Sequence, residues 1–142
     1  MSSDTCISNI QAYLQAVNMN NNITGLGSAV LHVYSTAHDR PLDADTAIGT
    51  QLELIRWTLP IASANTISPY GVITIGAMPM VTALNTGIAS WFRVVASDGI
   101  TVVLDGNVGL AGEDFDLLLS SLNIIRDAPM RVLSFTHTIQ KR

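Results

Sequence analysis

A mainly β fold is what this sequence predicts: one antiparallel β-sandwich, Greek-key or jelly-roll-like, behind a short N-terminal α-helix. Three features carry that reading. From Ala29 onward, short runs rich in Val, Ile, Thr, Phe and Trp recur between turn residues. A single stretch with helical spacing, Ile7, Ile10, Leu14 and Val17, stands before them. Asp98-Gly99 separates two β-rich runs, Ile88 to Ala96 and Thr101 to Asp105. Asp-Gly in that setting marks a hairpin, because a two-residue type I′ turn needs φ > 0 at both central positions.

At 142 residues the chain suits one domain with a real core and is too short for two. The expected division is residues 1–22 for the helix and its Asn-rich turn, 29–139 for the sandwich, and 140–142 for a charged tail.

In chain order, Ser3 or Asp4 is placed to cap the helix, since a side-chain oxygen there accepts from free first-turn amides. Cys6 is read as a small apolar helix residue, and Asn18 to Asn22 should end the helix. Ala29 to Tyr34 follows as a strand, with Leu31 and Val33 on one face and Val30, His32 and Tyr34 on the other. Ser35 to Ile48 reads as a polar loop around Arg40-Pro41. Leu52 to Leu59 is the next strand, stopped by Pro60. Ile61 to Pro69 reads as a small-residue loop, Val72 to Ile75 as a short strand, and Met80 to Leu84 as another piece; Met78 and Met80 are expected to fill core.

The hairpin comes next. With Ser97 facing Ile100, Val95 opposes Val102, Val94 opposes Val103, Arg93 opposes Leu104 and Phe92 opposes Asp105. One face then carries Phe92, Val94 and Val103; the other carries Trp91, Val95, Val102 and Leu104 around a lone Arg93. Neither face alternates with polar residues, so both should be covered, one by the fold and one by another chain. Gly106 to Gly112 reads as a glycine-rich bend. Phe115 to Leu119, Asn123 to Arg126 and Met130 to Ile139 complete the strands.

Composition narrows the function. Charged residues make up 13% of the chain, about half the roughly 25% of ordinary soluble domains. Mean hydropathy is +0.36, yet no run approaches the roughly eighteen apolar residues of a spanning helix. The start of the chain lacks the basic-then-apolar pattern of a secretory signal, so a soluble protein made in a cytosol is expected. A net charge of -4, with Lys141-Arg142 the one basic pair, argues against phosphate-directed nucleic-acid binding. Lysine is nearly absent and arginine supplies the remaining cations, a balance that favours protein interfaces.

No catalytic constellation surrounds His32, His38 or His137, and no cofactor motif is present; the expectation is a protein that is not an enzyme and has no cofactor. Asp39, Asp43 and Asp45 lack the glycine and bidentate glutamate of a calcium loop, and read as a solvated loop. Asp105, Asn107 and Asp116 fall at the first, third and twelfth places of such a loop, but Leu110 stands where glycine is needed, so no metal is expected there either. Arg93 pairs either with Asp105 on the adjoining strand or with an acid of a neighbouring subunit. The residues expected at an interface are Trp91, Arg93, Val95, Val102, Leu104 and Trp57; the two tryptophans could instead form a sugar-stacking platform.

Thr86-Gly87-Ile88-Ala89-Ser90-Trp91-Phe92-Arg93, the Ser97-Asp98-Gly99 turn, Val102 to Gly106 with Val108-Gly109, Asp114 to Leu117 and Val132 to Thr136 together resemble a family of small virion proteins. Tailed bacteriophages encode these proteins near their major capsid genes. The resemblance spans Leu84 to Thr138, and the DLLLSSLNIIRDAPM segment departs from it by its length. It implies a structural role as a decoration, or cement, protein on the outer capsid shell, made in the host cytoplasm. Its partners would be the major capsid protein and further copies of itself, as a homotrimer, with neither nucleic acid nor membrane. The alternative is a receptor- or glycan-binding module associated with a head or tail fibre.

Overall fold

The computed structural model describes residues 7–24, 29–35, 51–59, 65–76, 78–113 and 115–139. The expectations for Ser3, Asp4, Cys6, the Arg40-Pro41 loop with Asp39, Asp43 and Asp45, and the tail 140–142 lie outside these residues.

The helix, α1 (Asn9–Thr24), comes first. Among the described residues, five strands precede the hairpin: β1 (Val30–Ser35), β2 (Glu53–Thr58), β3 (Thr66–Ile67), β4 (Val72–Thr74) and β5 (Val81–Thr82). The hairpin is β6 (Gly87–Val95) and β7 (Val102–Leu110). After it come β8 (Leu117–Leu119), β9 (Asn123–Ile124), β10 (Pro129–Met130) and β11 (Val132–Thr138). Among the described residues the fold is mainly β with one helix, and its principal sheet is a curled, open half-barrel. Nine strands belong to that sheet, in the order β2-β1-β6-β7-β8-β11-β4-β3, with β9 paired to the start of β6; β5 and β10 form a separate ladder.

The curl is visible in contacts between strands that are not neighbours. Phe92 of β6 meets Phe135 of β11 edge-to-face, with ring centroids 5.3 Å apart, although β7 and β8 lie between their strands. Helix α1 touches both β7 and the β3–β4 end of the sheet. A single apolar cluster therefore runs from Ala12 of the helix through Leu31, Trp57, Phe92 and Leu117 to Ile139. Burial of that cluster is the dominant favourable term in the fold.

Local chemistry alters several boundaries. Ser8 caps α1: its hydroxyl accepts from the Gln11 amide at 3.1 Å. The helix continues through the asparagines to Thr24 rather than stopping at Asn18. Its buried stripe is Ala12, Ala16 and Asn20, while Ile10 and Leu14 are 74% and 53% exposed. The spacing Ile7-Ile10-Leu14-Val17 correctly predicts a helix, but not the face that packs. Ala12 lies too close to the backbone at Gly71 for bulk, since a Cβ built there would come within 2.8 Å of Ala12 Cβ. Small residues win this contact, and the large ones turn outward.

The hairpin loop is wider than a two-residue turn. Ala96 donates to the Thr101 carbonyl and Gly99 to the Ala96 carbonyl, so Ser97 to Ile100 form the loop. Gly99 has φ +74°, and Asp98 is not among the positive-φ residues. Asp98 instead ties the loop with its side chain, accepting from the Ile100 and Thr101 amides and from the Thr101 hydroxyl.

Beyond the loop, an irregularity at Val94/Val95 shifts the register by one residue: Val95 still pairs Val102, but Val94 pairs Leu104, Arg93 pairs Asp105 and Phe92 pairs Gly106. Leu104 thereby joins Phe92 and Val94 on the inner face, correcting the expectation that it lies beside Trp91.

The glycine-rich bend is strand. β7 runs unbroken to Leu110, and its glycines seat aromatic rings: a Cβ at Gly106 would stand 2.5 Å from Phe92 Cε1, and one at Gly109 2.3 Å from Phe115 Cδ2. β3 lies within the stretch read as a small-residue loop, and Met130 to Ile139 divides at Arg131 into β10 and β11. Met78 packs against the core, whereas Met80 is half exposed.

Candidate functional site

The outer face of β2, β1, β6 and β7 carries the densest polar chemistry among the described residues. Register builds it. Arg56 stands opposite His32, His32 opposite Arg93, and Arg93 opposite Asp105, one ionisable residue from each of four adjacent strands. The next row is Glu53, Tyr34, Trp91 and Asn107.

Arg93 and Asp105 form a two-pronged pair, Nε donating to Oδ1 at 2.7 Å and Nη2 to Oδ2 at 2.8 Å. Their side chains are only 3% and 7% exposed. This is the within-chain alternative for Arg93. The guanidinium also lies 5.6 Å from the centroid of Trp91, whose other neighbours are the stacked ring of Tyr34 at 4.5 Å and Gln51, which accepts from Nε1 at 3.2 Å. Trp91 has no exposed surface. The second cover over the hairpin therefore comes from the same chain.

Glu53 organises the edge of this face. Its Oε2 lies 2.6 Å from His32 Nδ1, while Oε1 accepts from Arg56 Nε at 2.9 Å and Nη2 at 2.7 Å. Burial pushes the Glu53 carboxyl up, but the hydrogen bond and charge of His32 and those of Arg56 outweigh it, leaving the group below its ordinary value. Burial, reinforced by the charge of Glu53, pushes the Tyr34 phenol up to about 12. Between these residues and the hairpin loop lies a hollow of about 420 Å³, lined by Val30, His32, Tyr34, Arg56, Val95, Ala96, Ser97 and Gly99. Its lining combines apolar Val30, Val95 and Ala96 with polar His32, Tyr34, Arg56 and Ser97.

Two further features lie elsewhere. His137 Nδ1 is 2.6 Å from Asp116 Oδ2, which fastens β11 to the segment leading into β8. Ile10 and Tyr13 of α1 line an apolar groove of about 330 Å³ with Ile67 and Pro69.

The six residues expected at an interface separate by burial. Trp57, Trp91, Arg93 and Leu104 are buried within this chain, and Val95 and Val102 are half-buried. Being enclosed, neither tryptophan offers a ring face to a sugar, which removes the stacking platform. Trp57 sits on the inner face, where its Nε1 is buried without a hydrogen-bond partner among the described residues. Two carboxylates of the calcium frame are engaged with other groups, Asp105 with Arg93 and Asp116 with His137. Among the described residues no cluster of three or more His, Cys, Asp and Glu side chains is placed to hold a metal, and no helix is long and apolar enough to cross a membrane.

Sequence reasoning missed Glu53 and Tyr34 as partners of His32, and the hollow they border. The alternation in β1 puts Val30, His32 and Tyr34 on one face, which was the available signal; the β2 register that brings Glu53 and Arg56 beside them includes a shift at Val33/Tyr34 that no alternation encodes. No protein-family model, curated protein or solved structure matches this chain.

Proposed function

We propose that this chain is a structural protein of a tailed-bacteriophage head, a decoration protein that binds the outer capsid shell as a homotrimer and bridges major capsid subunits. The observation that carries this reading is the outward face of α1. Ile10, Tyr13 and Leu14 stand exposed there beside Ile67 and Pro69, on a chain with very few charges. Exposed apolar surface of this kind marks contact with other protein. The resemblance of the hairpin region to small virion proteins supplies the context, with a role in binding rather than catalysis. The sandwich interpretation of the half-barrel, with Greek-key or jelly-roll-like crossings, belongs to the same proposal.

A shell stretched by packaged DNA gains from many modest contacts acting together, because linked weak sites hold more tightly than any one of them. Identical patches closed by cyclic symmetry provide such linkage. The test is to measure the mass of the purified protein in solution by light scattering and its co-sedimentation with expanded, empty phage heads. A trimer that pellets with the heads is expected; a monomer that stays in the supernatant overturns the proposal.

A further inference from the structure

Three of the residues around the hollow beside the hairpin loop leave hydrogen-bonding capacity unused. Tyr34 is 4% exposed, and its hydroxyl has no hydrogen-bond partner among the described residues. Tyr34 is one of the residues that line the hollow. Arg56 directs Nε and Nη2 to Glu53 and keeps its remaining N–H groups; its side chain is 58% exposed at the rim. With Glu53 ionised, His32 donates through Nδ1, leaving Nε2 as its second nitrogen.

Glu53 is not among the residues that line the hollow, and its two oxygens are turned to His32 and Arg56. What the hollow offers an incoming group is therefore a surplus of donors: a phenol and part of a guanidinium. Val30 and Val95 supply apolar lining beside them.

We propose that this hollow binds a carboxylate carried on a short aliphatic stem, the carboxylate accepting from Arg56 and Tyr34 and the stem resting on Val30 and Val95. A planar carboxylate matches the guanidinium fork. The ionised Glu53 beside it sets the charge limit: a dianionic phosphate would meet stronger repulsion from Glu53 than a monoanion does. The raised phenol pKa keeps Tyr34 a donor throughout the neutral range. A free short-chain monocarboxylic acid and an acidic side chain of another protein share this chemistry.

The test uses the isolated chain, so it stands apart from head binding. Butyrate and glutamate blocked at both backbone ends are titrated while the His32 ring signals are followed by NMR, with equally blocked glutamine as the neutral control. Saturable shifts with the two acids and none with glutamine are expected, and the tighter acid distinguishes a free metabolite from a protein side chain. Arg56→Gln should weaken binding by about tenfold and Tyr34→Phe by about three- to tenfold. Far-ultraviolet dichroism checks that both variants are folded; Phe retains the ring that stacks on Trp91. Equal response to the neutral control, or acid binding unchanged in both folded variants, overturns the proposal.

Discussion

Arg93 and Asp105 are a buried ion pair on which the fold depends at single-residue scale. Each is almost wholly enclosed, and each satisfies the other through two parallel bonds. Removing one strands a desolvated charge, so Arg93→Met or Asp105→Leu alone should cost about 3–5 kcal/mol in urea denaturation. The double variant should recover most of that loss, because a well-packed apolar pair needs no compensation.

Glu53 gives a pH-dependent counterpart. Its carboxyl titrates below the ordinary 4.5 in the folded chain, so its contribution is present above that value and disappears as pH falls through the lowered one. The melting temperature of Glu53→Gln should accordingly fall less than that of the native chain as the solution is acidified through and below pH 4.5. Gly106 completes the residue scale: Gly106→Ala forces the Phe92 ring to move and should cost about 1–3 kcal/mol.

Elements were legible where a pattern had one physical cause. Alternation located β1 and β2, and the runs beside Asp98-Gly99 located the hairpin, because a β-branched stretch flanked by turn residues has few other stable outcomes. The pattern failed where two causes competed. In α1 the apolar stripe signalled helix, yet close approach at Gly71 selected the alanines as the packed face. In β7 the glycines suggested a bend, yet they make room for Phe92 and Phe115; Phe92 comes opposite Gly106 only through the register shift in the hairpin, which alternation does not encode. The Arg93–Asp105 pair was visible as one of two alternatives, and only the one-residue shift in the hairpin register selects it. Since Ile10 and Leu14 contribute little to the core, the double substitution Ile10→Glu/Leu14→Glu should leave the melting temperature nearly unchanged. It should also abolish self-association measured by light scattering, if the outward face of α1 is the interface.

At the scale of the molecule, most of the sheet order lay beyond sequence reasoning. Strand β1 pairs with β6 across a long intervening chain, and β7 and β8 run parallel although only Ala111 to Asp116 connect them. Parallel neighbours ordinarily need a crossover of about a dozen residues or more. Here the chain doubles back within six positions, aided by Glu113, whose Oε1 accepts from the Leu110 amide at 2.7 Å while its own amide donates to the Leu110 carbonyl. Such a short return has little slack. Deleting one residue from it should disturb the pairing of Val108 with Leu117, read as faster hydrogen exchange throughout β8.

Strand β11 has a consequence for the order of events during synthesis. It is the last described strand to leave the ribosome, yet it lies inside the sheet, between β8 and β4. Until it emerges, the β3–β4 pair is an orphan hairpin with one raw flank, and the nascent chain must keep that gap unfilled by any foreign strand. Crowded, high-level expression, where many unfinished copies wait side by side, is therefore the condition under which this protein is most exposed to being completed by a neighbour's final segment instead of its own.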